Sequence, residues 1–353
     1  MSRPVPDRLR VVVASPLPQE YCDLIQQLEP RLEVVCDQSL FPRQRYPGDH
    51  SGDPSFERTP QQQADFEALV DSADALFGLP DENPQALART VATNPKLRWV
   101  HTTPAGGGAQ VRAATLPEEA LGRIVFTQSG GIHAKPLAEF ALLGLLAGAK
   151  HLGTLRAHQD RSQWADPFPT PLLSEQTVLV VGLGGIGKQV AAMLAALGVR
   201  VIGVHRRQVD APGVESIVPV ERLVDAVAEA DGIVLTLPST ALTDRMLSRE
   251  VLAAVRPGVT VVNVGRGSTI DEPALIEALG DGRVGFAALD VFASEPLASD
   301  SPLWSMPNVL VSPHVAARHA GEDKLIAQLF AQNATRLLDG EPLVNRVDTV
   351  EFY

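Results

Sequence analysis

Cysteine, excess positive charge and long apolar runs are scarce or missing in this 353-residue chain. Cys22 and Cys36 provide neither a disulfide framework nor metal-ligand spacing, so we expect two small apolar side chains in a reducing cytoplasm, and no metal site. The formal net charge of -12 disfavours binding to nucleic acid or to an anionic membrane surface. No apolar run can cross a bilayer, and the polar N-terminus lacks the apolar segment of a targeting signal.

Enough apolar sequence is present for two domains. Hydrophobic residues make up 45% of the chain, which allows a sizeable core in each domain. We therefore expect a soluble, compact α/β protein without internal repeats beyond its two α/β units.

Residues 177–187, TVLVVGLGGIG, are the part of the chain around which the rest is organised. A short apolar run ends in Gly182, Gly184 and Gly187, and helical composition follows up to Gly198. The three glycines permit the turn, the approach of backbone amides to a pyrophosphate, and close packing of helix on strand. The phosphates would meet the positive end of the helix dipole. This pattern predicts a dinucleotide-binding site.

Short apolar strands alternate with helices after the glycine motif. Such alternation predicts a parallel sheet covered on both faces, with ligands at the carboxyl ends of its strands. The predicted strands are residues 200–204, 233–236, 260–264, 285–289 and 309–311, and helices are predicted at 221–228 and 272–279.

The N-terminal third of the chain predicts a second α/β unit, to which a final helix at residues 319–338 returns. Residues 135–155 are apolar on most sides and predict one long buried helix that crosses between the domains. Strands are predicted at residues 9–14, 32–36, 75–78, 97–102 and 124–127, and helices at 17–28 and 66–72.

Two irregular segments interrupt this unit. Residues 37–63 are polar and rich in proline, and long loops of this kind are usually either disordered or functional. Residues 103–108, TPAGGG, contain three consecutive glycines whose backbone amides would suit one small anion, although a flexible turn is the alternative.

Three polar residues stand at or just beyond the ends of predicted strands, where catalytic groups of such folds converge. They are Arg266 in NVGRG, Glu295 in ASEPL and His314 in SPH. Taken singly, each also suits a structural or solvated role. Among ionisable side chains, a histidine has the pKa range for proton transfer near neutrality.

From about residue 97 onward the chain resembles the D-isomer-specific 2-hydroxyacid dehydrogenases. The glycine motif is followed, in the family's order, by LPST with Thr243, NVGRG, LDVFASEPL, PLW and SPH. The resemblance implies two Rossmann-like or flavodoxin-like domains with parallel sheets and a cleft between them. Residues 1–133 with 316–353 would form the substrate-binding domain, and residues 134–315 the dinucleotide-binding domain. It also implies a homodimer built largely through the nucleotide domain.

The same resemblance implies roles for single residues. His314 would be the general acid, Glu295 would orient it and favour its imidazolium form, and Arg266 would hold the substrate carboxylate and carbonyl oxygen. Backbone amides at Ala105 and Gly106 would also bind the carboxylate, although GGG at 106–108 departs from the family's usual Gly-Val-Asp. The cofactor contacts would be Gly182, Gly184, Gly185, Ile186, Gly187, Leu237, Pro238, Thr243, Val264, Gly265, Arg266, Asp290 and His314, with a structural role expected for Asp290.

Cofactor choice depends on the end of the predicted strand 200–204. An NAD-specific chain places an acidic residue there, whereas this chain has His205, Arg206 and Arg207. An arginine pairs with a 2'-phosphate, so we predict that NADP is preferred, with NAD possible and a solvent-exposed basic turn as the alternative.

The expected activity is NAD(P)H-dependent reduction of a small 2-oxo acid, such as glyoxylate or hydroxypyruvate, to the D-2-hydroxy acid. Alternatives are a phosphoglycerate dehydrogenase-like enzyme that uses NAD and a dinucleotide-sensing protein like the corepressors of this fold. The formate or phosphite dehydrogenase branch is disfavoured because Glu295 and Pro296 match the 2-hydroxyacid branch.

Overall fold

A computed structural model describes residues 8–352 and divides the chain into two compact units. The first unit runs to Ile132 and resumes at Arg318, and the second spans His133–Ala317. The polar N-terminus, interpreted above as free of a targeting signal, falls largely on residues 1–7, which lie outside the described range, as does Tyr353. Among the described residues, no helix is long and apolar enough to cross a membrane.

The described part of the first unit contains a parallel five-stranded sheet in the order β2-β1-β3-β4-β5. Successive residues of the first strand face two separate cores, since Val12 packs in one cluster and Val11 and Val13 pack in the other. The strands are β1 Leu9–Val13, β2 Leu32–Val35, β3 Ala75–Phe77, β4 Trp99–Thr102 and β5 Val125–Gln128, and the helices are α1 Gln19–Leu28, α2 Pro60–Asp71, α3 Pro84–Thr93, α4 Gly108–Ala113 and α5 Glu118–Arg123.

The second unit contains, within the described range, a parallel seven-stranded sheet in the order β12-β11-β10-β9-β6-β7-β8. Val178 and Val180 face one core and Leu179 and Val181 the other, as expected for a sheet covered on both faces. The helices are α6 Ala134–Ala149, α7 Leu152–Asp160, α8 Gly185–Ala196, α9 Leu223–Val227, α10 Arg249–Ala254 and α11 Glu272–Gly280, and the strands are β6 Thr177–Val181, β7 Arg200–Val204, β8 Ser216–Val218, β9 Gly232–Leu235, β10 Val259–Asn263, β11 Val284–Leu289 and β12 Val309–Val311.

The last helix, α12 Glu322–Leu338, belongs to the first unit and packs against α1. Phe330 from this helix stacks on Trp99 of β4, with ring centroids 4.3 Å apart. The predicted return of the chain to its N-terminal sheet is therefore confirmed, as is the α/β fold class with two parallel sheets.

The prediction of one long buried helix over residues 135–155 is wrong. The helix ends at Ala149, and His151 takes left-handed backbone angles (φ 51°, ψ 47°) before α7 begins. Leu152 and Leu155 keep a helical spacing of apolar residues beyond this break, but the backbone does not continue as one helix. No residue of α7 is buried, whereas α6 packs on β10, β11 and α8 of the second unit.

The polar segment 37–63 is folded onto the first unit. Arg45 and Asp49 form an ion pair with Nε and Oδ2 2.6 Å apart, and the Gly48 amide donates to Asp323 Oδ2 at 3.0 Å. The Arg58 guanidinium lies 3.8 Å from the centre of the Phe66 ring. Charged anchors of this kind explain how a segment with few apolar residues keeps one conformation.

Candidate active site

The glycine motif forms a tight turn between β6 and α8. Gly182 follows the strand with φ 100°, a value that side-chain-bearing residues rarely adopt. Gly187 packs so closely that a β-carbon there would collide with the Gly182 carbonyl oxygen. The turn is also tied to the neighbouring strand, because Thr236 Oγ1, just beyond β9, donates to the Gly182 carbonyl oxygen at 2.8 Å.

The start of α8 is open, in contrast to the tight packing at Gly187. Gly184 and Gly185 are exposed, and β-carbons built on them would meet no atom within 4 Å. No side chain caps this helix, so the first amides of α8 are left for another acceptor. Ile186 is half-buried beside this opening. Free amides, open space and a helix dipole together form a cradle that fits a pyrophosphate.

The end of β7 carries the three basic residues. His205 is half-buried and accepts a hydrogen bond from the Arg207 amide at Nδ1, at 3.2 Å. The side chains of Arg206 and Arg207 are exposed, and no carboxylate between residues 8 and 352 pairs with either. Both guanidinium groups are therefore available to an anion from solution.

Arg266 lies in a turn directly after β10. Asn263 Nδ2 and Thr269 Oγ1 donate to the Arg266 carbonyl oxygen at 3.1 and 2.6 Å, and Asn263 Oδ1 accepts from the Gly265 amide. Val264 is buried in the same segment. These contacts fix the backbone of the turn while the Arg266 side chain is exposed.

The turn after β9 lies against the Arg266 turn. A β-carbon on Gly265 would come within 2.6 Å of the Leu237 carbonyl oxygen, so the two backbones approach closely there. The hydroxyl of Thr243 donates to the Pro238 carbonyl oxygen at 2.6 Å and closes the LPST turn. Leu237, Pro238 and Thr243 thus belong to one ordered turn beside the glycine motif.

Glu295 and His314 form the closest pair among the three candidate catalytic residues. His314 Nδ1 lies 2.7 Å from Glu295 Oε2, and Glu295 Oε1 accepts from the Phe292 amide at 3.0 Å. The His314 side chain is 48% exposed and the Glu295 side chain 36%. The imidazole is therefore accessible while its Nδ1 is hydrogen-bonded. His314 has left-handed backbone angles, with φ 57°.

The backbone around His314 is held by Asp290, which is 1% exposed and follows β11 directly. Its Oδ1 accepts from Ser312 Oγ at 2.6 Å and from the amides of Val315 and Ala316 at 2.9 and 3.0 Å. Its carbonyl oxygen also accepts from the His314 amide. Asp290 therefore fixes the turn that presents the imidazole, which agrees with the structural role expected from the sequence.

Strand order places these groups at one edge of the second sheet. β10, β11 and β12 are adjacent, and Asn263, Leu289 and Val311 are paired in register at their carboxyl ends. Arg266, Asp290 with Glu295, and His314 follow those three strands, respectively. The sheet thus presents the catalytic candidates at the edge predicted from the alternation of strands and helices.

The glycine-rich segment of the first unit follows β4. Ala105 is half-buried and Gly106 exposed, whereas Gly107 and Gly108 are buried. A β-carbon on Gly107 would collide with the Thr102 side chain. At least one of the three glycines is thus required by packing, and the exposed part of the turn is confined to its first half.

Comparisons with known proteins agree with this arrangement. Residues 142–316 match the model of the D-isomer specific 2-hydroxyacid dehydrogenase, NAD binding domain. The chain is 32% identical over 217 residues to glyoxylate/hydroxypyruvate reductase A of Salmonella newport, which covers 62% of this chain and 69% of that protein. A D-isomer specific 2-hydroxyacid dehydrogenase from Xanthobacter autotrophicus Py2, solved in complex with NADPH and MES, is 30% identical and superposes with a TM-score of 0.76 over 98% of this chain and 100% of its own.

The chain belongs to the D-isomer-specific 2-hydroxyacid dehydrogenase family. The D-3-phosphoglycerate dehydrogenase of Mycobacterium leprae is 36% identical over 277 residues, 78% of this chain, and the match spans about half of that enzyme (51%). Membership makes the chain an NAD(P)-dependent D-2-hydroxyacid dehydrogenase, and enzymes of this family act on small 2-oxo or 2-hydroxy acids.

The second unit of this dehydrogenase fits a nicotinamide dinucleotide. The open amides at Gly184 and Gly185 suit the pyrophosphate, and the unpaired guanidinium groups after β7 lie where the adenosine ribose of such folds is bound. Sequence reasoning missed Thr236 and the three donors on Asp290. For Thr236, the only sequence feature that could have indicated its role is a hydroxyl residue at the end of a predicted strand. No sequence feature indicated which groups donate to Asp290.

Proposed function

We propose that this dehydrogenase reduces a small 2-oxo acid, of the glyoxylate or hydroxypyruvate type, to the D-2-hydroxy acid and prefers NADPH as reductant. The observation that carries the proposal is the 2.7 Å contact between His314 Nδ1 and Glu295 Oε2 at the carboxyl edge of the second sheet. A carboxylate-paired imidazole is suited to deliver one proton at a fixed position.

His314 acts as the general acid. Its Nδ1–H donates to Glu295, which leaves Nε2 as the atom that gives its proton to the substrate carbonyl oxygen. The reduced nicotinamide, when bound, supplies the hydride that the carbonyl carbon receives. Glu295 stabilises the charged imidazole before transfer, and in the reverse direction the neutral His314 takes the proton from the 2-hydroxyl group.

Arg266 binds the substrate through its guanidinium group. Its backbone is fixed by Asn263 and Thr269, while its side chain is exposed at the same edge as His314. A guanidinium offers a carboxylate two parallel hydrogen bonds and can also polarise the carbonyl oxygen. Arg266 therefore orients the 2-oxo acid as well as holding it.

The first unit supplies the remaining substrate contacts. We assign residues 1–133 and 316–353 to substrate binding, with the backbone amides of Ala105 and Gly106 as donors to the carboxylate. Ala105 and Gly106 form the accessible half of the turn after β4. Neutral amides add affinity for an anion without a charge that would need its own counter-ion.

The second unit, residues 134–315, holds the cofactor. Arg206 is the leading contact for a 2'-phosphate, with His205 and Arg207 beside it, because both guanidinium groups are exposed and lack carboxylate partners in the described structure. The Xanthobacter autotrophicus Py2 relative was solved with NADPH. The other assigned contacts are Gly182, Gly184, Gly185, Ile186, Gly187, Leu237, Pro238, Thr243, Val264, Gly265, Arg266, Asp290 and His314.

The test is a panel of 2-oxo acids mixed with purified protein and NADPH, with absorbance at the reduced nicotinamide band as the readout. We expect glyoxylate or hydroxypyruvate to give the highest kcat/KM. The panel includes 3-phosphohydroxypyruvate with NADH, because the M. leprae phosphoglycerate dehydrogenase is 36% identical. If 3-phosphohydroxypyruvate with NADH gave the highest kcat/KM, the chain would be a phosphoglycerate dehydrogenase-like enzyme and the proposal would be wrong. Cofactor binding without turnover of any acid would favour a dinucleotide sensor.

We also propose that the active form is a cytoplasmic homodimer built through the second unit. Large apolar side chains are exposed on α6, on α7 and in the segment that follows them, with Trp164 98% exposed. Exposed apolar groups in one region are typical of an interface.

A further inference from the structure

Glu82 is aimed inward by an unusual turn of the first unit. It ends the 3-10 turn Pro80–Glu82 that follows β3, and both Asp81 (φ 56°) and Glu82 (φ 49°) have left-handed backbone angles. Two consecutive non-glycine residues in this region are unfavourable unless the surrounding contacts hold them. The Asp81 amide donates to the Ala14 carbonyl oxygen, and the contacts of the Glu82 carboxylate add a second constraint.

The Glu82 carboxylate links the two ends of the turn at residues 103–110, which contains the amides assigned to the substrate. Thr103 Oγ1 donates to Glu82 Oε1 at 3.1 Å, and Gln110 Nε2 donates to Glu82 Oε2 at 3.0 Å. Thr103 lies at the end of β4, and Gln110 lies in the first turn of α4. The residues between them include Ala105 and Gly106, whose amides are assigned to the substrate. Glu82 therefore fixes the distance between the two flanks of that turn.

Other contacts hold the flanks but not the exposed tip. The Ser129 amide donates to the Pro104 carbonyl oxygen at 3.3 Å, and Gly107 is packed against Thr102. Inside the turn, the Ala109 amide donates to the Gly106 carbonyl oxygen. The direction of the Ala105 and Gly106 amides thus depends on how firmly both flanks are held.

The contact with Gln110 does not require a charge on Glu82. Desolvation raises the pKa of the Glu82 carboxyl, while the hydrogen bond from Gln110 and the nearby His50 oppose that rise. Gln110 Oε1 is buried and, among the described residues, has no hydrogen-bond partner. A neutral side-chain amide at position 82 would donate a hydrogen bond to Gln110 Oε1 after a 180° flip of the Gln110 side-chain amide.

We propose that Glu82 is a positioning residue for substrate binding, which holds the turn at residues 103–110 so that the Ala105 and Gly106 amides converge on the substrate carboxylate. The inference rests on the proposed function of those amides. It gives Glu82 a role in affinity for the 2-oxo acid and none in proton transfer.

The first experiment compares steady-state kinetics of Glu82→Ala, Glu82→Gln and a control, Asp81→Asn. The control alters the neighbouring residue of the same left-handed turn, whose carboxylate pairs with Arg58 at 2.8 Å instead of with the substrate turn. Loss of both hydrogen bonds in Glu82→Ala should raise KM for the 2-oxo acid about tenfold, with kcat and KM for the cofactor nearly unchanged. Glu82→Gln should restore KM to near the wild-type value.

Amide hydrogen exchange of residues 105–107 gives a readout that needs no turnover. Exchange should be about tenfold faster in Glu82→Ala than in the wild type and unchanged in Glu82→Gln and Asp81→Asn. If Glu82→Ala does not fold, Gln110→Ala and Thr103→Val each remove one contact and should shift KM and exchange in the same direction by less.

Two results would overturn the inference. One is a wild-type KM in Glu82→Ala or in both single-contact variants, and the other is an equal rise of KM in Asp81→Asn. A wild-type protein that reduces no 2-oxo acid, combined with the expected exchange pattern, would instead contradict the proposed function and leave the positioning of the turn supported.

Discussion

His314 is constrained through both its ring and its backbone. Glu295 engages Nδ1, and Asp290 accepts from the amides of the next two residues, so a change at His314 removes the proton donor without removing the turn. We predict that His314→Ala lowers kcat by about a hundred- to ten-thousand-fold with little change in KM. Steady-state kinetics with the best 2-oxo acid measure this, and near-full activity would show that another group donates the proton.

Arg266 provides the comparison for that experiment, because it binds substrate as well as polarising it. Arg266→Ala should lower kcat and also raise KM, since the carboxylate loses a charge-assisted pair. Arg266→Lys keeps the charge but not the two parallel donors, so it should recover only part of the affinity. Equal KM values in wild type and Arg266→Ala would assign the carboxylate to other groups.

Arg206 carries the prediction on cofactor choice. Its exposed guanidinium is free to pair with a 2'-phosphate, whereas NADH has only a ribose hydroxyl at that position. We predict that wild type uses NADPH with the higher kcat/KM and that Arg206→Ala loses most of that advantage through a higher KM for NADPH. Arg222→Ala, which breaks an exposed ion pair with Asp225 in the same unit, is the control and should keep the preference. Better use of NADH by the wild type would refute the assignment.

Single residues could be predicted from the sequence where a motif marks them. Arg266, Glu295 and His314 each stand in a short motif after an apolar strand, and the structure places them after three adjacent strands. The partners of these residues were not predictable in the same way. Thr236 and Gly182 are 54 positions apart, and Glu82 contacts Thr103 and Gln110 across 21 and 28 positions. Such contacts depend on strand order, which local sequence does not encode.

At the scale of elements, strands buried on both faces were the most predictable. The runs that became β6, β10 and β11 are apolar over nearly their whole length, which is the pattern of a covered parallel strand. The three-residue edge strand β8 is only partly buried and was missed. The predicted helix over residues 135–155 is too long because Leu152 and Leu155 keep a helical spacing of apolar residues beyond Lys150, where the backbone leaves the helix.

The strand-turn-helix unit itself makes a prediction, because its glycines have different surroundings. Gly187→Ala would push a β-carbon into the Gly182 carbonyl oxygen, so the free energy of unfolding should fall by about 1–3 kcal/mol. Gly185→Ala points into open space and should leave stability within about 0.5 kcal/mol of wild type. The same methyl group occupies the space assigned to the pyrophosphate and should weaken NADPH binding. Urea unfolding and cofactor titration measure the two effects, and an unstable Gly185→Ala would contradict the open cradle.

At the scale of the whole molecule, exposed apolar side chains are concentrated in one stretch of the second unit. Leu143 and Leu146 on α6 and Leu155 on α7 are 50%, 37% and 46% exposed. The segment that leads to β6 adds Trp164 at 98% and Leu172 at 54%. Monomeric proteins rarely expose a large contiguous apolar patch, because apolar surface in contact with water is unfavourable. A second copy of the chain is the occupant that the family resemblance implies.

We therefore predict a homodimer at micromolar concentration, and that Trp164→Ser combined with Leu172→Ser shifts the population toward monomer because the interface loses apolar area. Leu28→Ser is the matched control, since Leu28 is 48% exposed on α1 of the first unit and should not affect association. Sedimentation velocity over a concentration series distinguishes the species. A wild type that sediments only as a monomer would contradict the dimer, and a double variant that remains fully dimeric would place the interface on another surface.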